Sequence, residues 1–134
     1  MTKLRTVGLI SVSHNKLLLA YSNHKKAWYL PGGKVDSMES NLEALSREIK
    51  EELSVDLDLS KVKYYCHISA IAFGEVPQVM MEQECYLYPL THFKAAHEIG
   101  GLRFFSYEEY LKEEIQVSGV ITVYDKLKED QLLS

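Results

Sequence analysis

The sequence predicts an α/β chain. Mainly apolar, β-like runs stand on both sides of one amphipathic helix, and two further helical segments close the chain. A glycine-rich loop leads straight into the amphipathic helix, which carries three glutamates within one turn. With 134 residues and 46% hydrophobic content, the chain is expected to be one domain that buries about two-thirds of its unfolded surface.

Taken in order, residues 6–13 and 17–21 are apolar runs flanking His14-Asn15-Lys16, which reads as a hairpin. Trp28-Tyr29-Leu30 continues as a β-like stretch that ends at Pro31, and Gly32 and Gly33 let the backbone turn without a Cβ in the way. Ser40 followed by Glu43 makes a capping box, after which Leu42, Leu45, Ile49 and Leu53 recur at helical spacing. Residues 62–73 and 79–90 form a second expected hairpin around Gly74-Glu75-Val76-Pro77. Residues 102–105 make a short strand. Ser106 and Glu109 form a second capping box that opens a helix to about residue 114, and a last helix is expected from 118 to about 131. No repeat, low-complexity segment or linker interrupts this series.

Composition narrows the function. A net charge of −4 argues against a nucleic-acid polymer or an acidic membrane as partner, because phosphate backbones select basic surfaces. No charged-then-apolar leader opens the sequence, and no apolar stretch reaches the length of a membrane span, so a cytoplasmic location is expected. Cys66 and Cys85 lie in apolar β-like runs without metal or redox spacing, as free thiols in a reducing compartment would. Paired exposed strands are compatible with a homodimer.

The chemistry concentrates in residues 33–55. At about 100° per residue, Glu48, Glu51 and Glu52 lie together and apart from the apolar stripe, with Ala44 and Arg47 on their side. Acidic pairs three and four apart repel by a few tenths of a kcal/mol each on an exposed helix. A solvated acidic face is the ordinary explanation of such a run, but the loop in front of it changes that balance. Hard cations take carboxylate, carbonyl and water oxygens and keep open positions for substrate phosphates, and a turning loop beside carboxylates supplies such a partial shell.

The spacing Gly33, Glu39, Arg47, Glu48, Ile49, Glu51, Glu52, Ser54, Val55 resembles the Nudix box of the Nudix hydrolases. Ser54 alone departs, standing where the family has glycine. Met38 stands where many members carry another glycine. The resemblance extends in layout over about residues 4–111 and implies an α/β/α sandwich with a mixed β-sheet between helices. It also implies Mg²⁺-dependent hydrolysis of a phosphoanhydride in a nucleoside diphosphate linked to another moiety, with Mn²⁺ as an alternative cofactor and a (d)NTP among the candidate substrates. Carried over by position, it assigns Glu48, Glu51, Glu52 and the Gly32 carbonyl to the metal. Glu51 and Glu52 are the catalytic core, and Arg47 orients the glutamates. Glu39 supports the loop or a second metal. Glu98 takes the position of a catalytic base, with Glu82 and Glu84 as alternatives; His97 beside it reads as a surface histidine.

Substrate residues are less marked. Arg5, Lys26 and Lys34 are candidates for phosphates, as are Lys3, Lys25 and Arg103, whereas Phe73, Tyr21, Trp28 and Tyr88 offer flat faces for a base. The partner implied is a small-molecule nucleotide. Two other readings compete: a catalytically silent nucleotide sensor on the same fold, and an isomerase of isoprenoid diphosphates. The isomerase needs a cysteine nucleophile, and neither Cys66 nor Cys85 lies in a fitting motif.

Overall fold

A computed structural model describes residues 1–90 and 99–134. In chain order it contains β1 (Thr2–Ile10), β2 (Val12–Ser13), β3 (Lys16–Ser22), β4 (Ala27–Tyr29), β5 (Gly32–Lys34), α1 (Asn41–Leu53), β6 (Lys63–Ile71), β7 (Val79–Leu87), β8 (Ile99–Phe105), α2 (Tyr107–Leu111) and α3 (Ser118–Glu129). One sheet has the order β5-β1-β7-β6, with β1 and β7 parallel and the other pairs antiparallel. In the second sheet β3 pairs antiparallel with β2, β4 and β8.

The first expected hairpin exists but is narrower than residues 6–13 and 17–21 suggest. The run splits at Ser11, where the chain passes from one sheet to the other. The Ile10 carbonyl accepts from Tyr88 N–H on the β7 side, and the Ser11 carbonyl accepts from Leu18 N–H of β3. Two-residue β2 alone turns back onto β3, through His14 and Asn15 at φ 51° and 63°, the left-handed pair that a tight hairpin turn requires. The second hairpin, β6 to β7, forms as expected.

Strand alternation divides the interior into two cores. Val7 and Leu9 of β1 and Leu18 of β3 pack with Ala44, Leu45, Ile49 and Leu53 of α1. Ile10, Leu17 and Leu19 belong to the other core, with Tyr110 of α2 and Val120, Val123, Tyr124 and Leu127 of α3. Sheets therefore lie between α1 and the C-terminal helices, the expected α/β/α layering. Leu42, expected in the buried stripe of α1, is 39% exposed in the first turn, and Ala44 is buried instead.

Both capping boxes form. The helix opened by the second stops at Leu111, short of the expected residue 114, because Gln116 Nε2 donates to the Leu111 and Glu113 carbonyls and closes the end. A 3₁₀ turn at Leu59–Lys61, capped by Asp58, had no expectation. No helix among the described residues is long and apolar enough to cross a membrane.

Candidate active site

The loop before α1 is shaped by two glycines at points of contact. Gly32, with φ 143°, sits against β1 so closely that a Cβ would stand 2.0 Å from the Val7 carbonyl oxygen. At Gly33 a Cβ would meet the Glu48 carboxylate at 2.6 Å. The absence of side chains thus lets the strand end press onto the acidic turn of α1. Gly32 N–H donates to Glu52 Oε1 at 3.1 Å.

Arg47 organises the remaining carboxylates. Its Nε and Nη2 donate to the two oxygens of Glu39 at 2.8 and 2.9 Å, a bidentate pair. Nη1 donates to Glu48 Oε1 at 2.8 Å and reaches Glu51 Oε2 at 3.5 Å, while Nη2 also donates to the Lys34 carbonyl at 3.0 Å. Through one side chain the loop, Glu39 and the helix are tied together. The guanidinium hydrogen bonds and the Asp36 N–H hold the Glu39 carboxyl down at about 2.

Glu52 behaves oppositely. Burial pushes its carboxyl up to about 9 against the opposing Gly32 N–H, and Glu48, within hydrogen-bonding reach, and Glu51 raise it further. Two carboxylates in contact with a third nearby have an excess of negative charge that a bound cation would neutralise. The donor set is all oxygen, which suits Mg²⁺ or Mn²⁺. Among the described residues no three such side chains are already gathered around a metal position. Glu48 and Glu51 are both turned to Arg47. The residues fit a cation by donor chemistry and electrostatics, not by a preformed cage.

Gly32, Gly33, Glu48, Glu51 and Glu52 line a cleft of about 980 Å³. Lys34 and Phe73 line it, as does Lys25, whose ammonium is already held by the Phe73 carbonyl at 2.9 Å and Glu75 at 3.5 Å. The remaining proposed contacts lie elsewhere. Arg5 is exposed and donates to Asn41 at 2.9 Å; Lys26 sits exposed in the β3–β4 turn at φ 55°; Lys3 is exposed; and Arg103 reaches Glu109 at 3.5 Å. Trp28 is wedged edge-on between Tyr21 and Phe105, and the Tyr88 hydroxyl accepts from Asp58 N–H. Glu82 and Glu84, the alternative bases, lie on the sheet face opposite the cleft. Glu84 accepts from Tyr64 and contacts His67, and Glu82 accepts from Ser69. Glu98 and His97 lie outside the described residues.

The cleft floor also holds groups that the sequence reading missed: Thr6, Tyr29 and Gln83. Burial raises the Tyr29 hydroxyl to about 12. The available signal was polar side chains at inward positions of otherwise apolar strands.

A model of the NUDIX domain matches residues 2–125. The chain belongs to the Nudix hydrolase family. Among solved structures, this Nudix chain is similar to the E. coli ORF135 protein, at 26% identity and a TM-score of 0.73 over 98% of this chain and 92% of that one. It is similar also to a MutT NUDIX hydrolase from Burkholderia pseudomallei, at 24% identity and 0.71 over 92% and 97%. The NUDIX domain of Shewanella oneidensis NrtR, complexed with ADP ribose, matches at 18% identity and 0.69 over 98% and 90%. The latter two likenesses carry the fold. No curated relative matches the sequence significantly.

Proposed function

We propose that this protein hydrolyses a phosphoanhydride bond in a nucleoside diphosphate linked to another moiety, with (d)NTPs among the candidates, in a reaction that depends on Mg²⁺ or Mn²⁺. The observation that carries this is the gathering of Glu48, Glu51 and Glu52 on the lining of a cleft of nucleotide size, with Glu52 held by the Gly32 N–H at 3.1 Å and its carboxyl pushed up by burial and like charge. Glu48, Glu51, Glu52 and the Gly32 carbonyl would hold the cation. When bound, it neutralises phosphate oxygens and makes water a better nucleophile. Arg47 fixes Glu39 and Glu48, so the carboxylates keep their positions as charge develops on the ligand. Lys34 at the cleft wall meets phosphate charge, and Glu98, assigned through the family resemblance alone, is the proposed base. The cytoplasm is the compartment proposed, with both thiols reduced.

One observation favours a second reading. Among the described residues the glutamates are not gathered around a metal position, as befits a protein that holds a nucleotide without turning it over. A panel of nucleoside triphosphates, dinucleoside polyphosphates and ADP-ribose, assayed for phosphoanhydride cleavage with Mg²⁺ or Mn²⁺, separates the two. Cleavage of at least one compound, abolished by EDTA, is the expected result. Binding without any cleavage transfers the case to the sensor.

A further inference from the structure

The cleft floor, where Tyr29 also stands, contains a polar pair set beside apolar side chains. Thr6 of β1 and Gln83 of β7 are register partners in the parallel ladder, so their side chains stand side by side on the face toward the cleft. They are only 6% and 8% exposed, among Leu4, Leu30 and Met81. Thr6 Oγ1 is buried without a hydrogen-bond partner. The Gln83 amide occupies space left by Gly8, where a Cβ would stand 3.0 Å from both Cδ and Nε2. Cys85 directs its thiol to Gln83 Oε1 at 3.8 Å, and Nε2 has no partner among the described residues. The acceptor side of the amide is thus engaged inside the protein, and its donor side is left unmet. Buried polar groups are nearly always paired, so the unpartnered Thr6 Oγ1, beside an amide donor that faces the cleft, marks a place where a ligand atom belongs.

We propose that Gln83, with Thr6 beside it, is the specificity-determining residue of the cleft, donating from Nε2 to a ring nitrogen or carbonyl on the edge of the ligand's nucleobase. Lys34 of β5, the register partner of Thr6 on its other side, is exposed at the cleft wall, and the acidic turn that also lines the cleft takes the phosphate-bearing part. A neutral, flat group with apolar faces and a polar edge matches that lining. The ligand class rests on the function proposed above; the position of the recognition pair does not.

Equilibrium binding of AMP, GMP, CMP and UMP in EDTA, by isothermal titration calorimetry, tests this without requiring turnover. Wild type is expected to separate the best from the poorest of the four by about tenfold or more. Gln83→Leu should collapse that ratio to within about twofold, by loss of the donor. Gln83→Glu keeps the size and replaces N–H donors by acceptors, so it should reverse the order toward bases with an amino group at that edge. Should Gln83→Leu fail to fold by circular dichroism, the near-isosteric Gln83→Glu decides alone. No binding, equal binding of the four by wild type, or an unchanged ratio in the folded variants overturns the proposal. A collapsed ratio in a protein that cleaves nothing leaves it standing and removes the proposed hydrolysis instead.

Discussion

Ser54 sits at the C-cap of α1 with φ 58° and ψ 34°, its N–H donating to the Lys50 carbonyl. The left-handed closure that glycine makes without strain is therefore kept by a residue with a Cβ. Ser54→Gly is expected to stabilise the fold by up to about 1 kcal/mol, read as a higher Tm; a lower Tm would show that the serine contributes something the backbone does not. Arg47 has the opposite character, since five hydrogen bonds depend on its planar fork. A lysine there keeps the charge but not the bidentate pair. Arg47→Lys should lower turnover by about 10- to 100-fold, with the protein folded by circular dichroism, as loss of an orienting group does. The three glutamates and Arg47 were legible because helical spacing alone puts them together. Thr6 and Gln83 were not, since their meeting depends on a parallel register between distant strands and on the space left at Gly8.

The two capping boxes show how local sequence sets element starts, and why ends are harder to read. Ser40 and Ser106 each accept from the N–H three residues on, and Glu43 and Glu109 reciprocate, as their spacing requires. The end of α2 depends on Gln116 folding back over its last carbonyls, which no periodicity encodes. Similarly, the split at Ser11 is invisible in an apolar run, because sheet membership is decided by partners on β3 and beyond β7. Glu109 gives the capping box a pH signature. The Ser106 N–H, followed by the Lys16 ammonium at 3.2 Å, holds its carboxyl at about 2, below the usual 4.5. A depressed acid stabilises the fold above its unfolded value and loses that contribution as pH falls toward the folded one. Glu109→Ala should therefore melt below wild type at pH 7, and the gap should close as pH falls through about 4.5 toward 2. A gap that does not change with pH would assign the effect to packing.

In the whole molecule, two cores on opposite faces of the sheets fix α1 against β1 and β5 while α3 packs on the other side. This layering puts a local motif to work. The acidic turn meets a cleft only because β5 lies on β1, where Gly8 and Gly32 are partners, and because β7 lies on the other side of β1 and contributes Gln83. The α/β class and the α/β/α layers were readable from strand and helix patterns and from the family resemblance. The partition into two four-stranded sheets was not, since it arises from long-range pairing. The gathering of Glu48, Glu51 and Glu52 on the cleft lining, with Glu52 held by the Gly32 N–H, remains the strongest structural argument for a cation-dependent reaction. The most direct check is steady-state cleavage of the nucleotide panel by wild type, Glu51→Gln and Glu52→Gln, each with Mg²⁺ and then with EDTA. Wild type should turn over only with the cation, and each folded variant should be slower by about 10²- to 10³-fold. Wild-type rates in both variants would contradict the assignment of these glutamates to the metal.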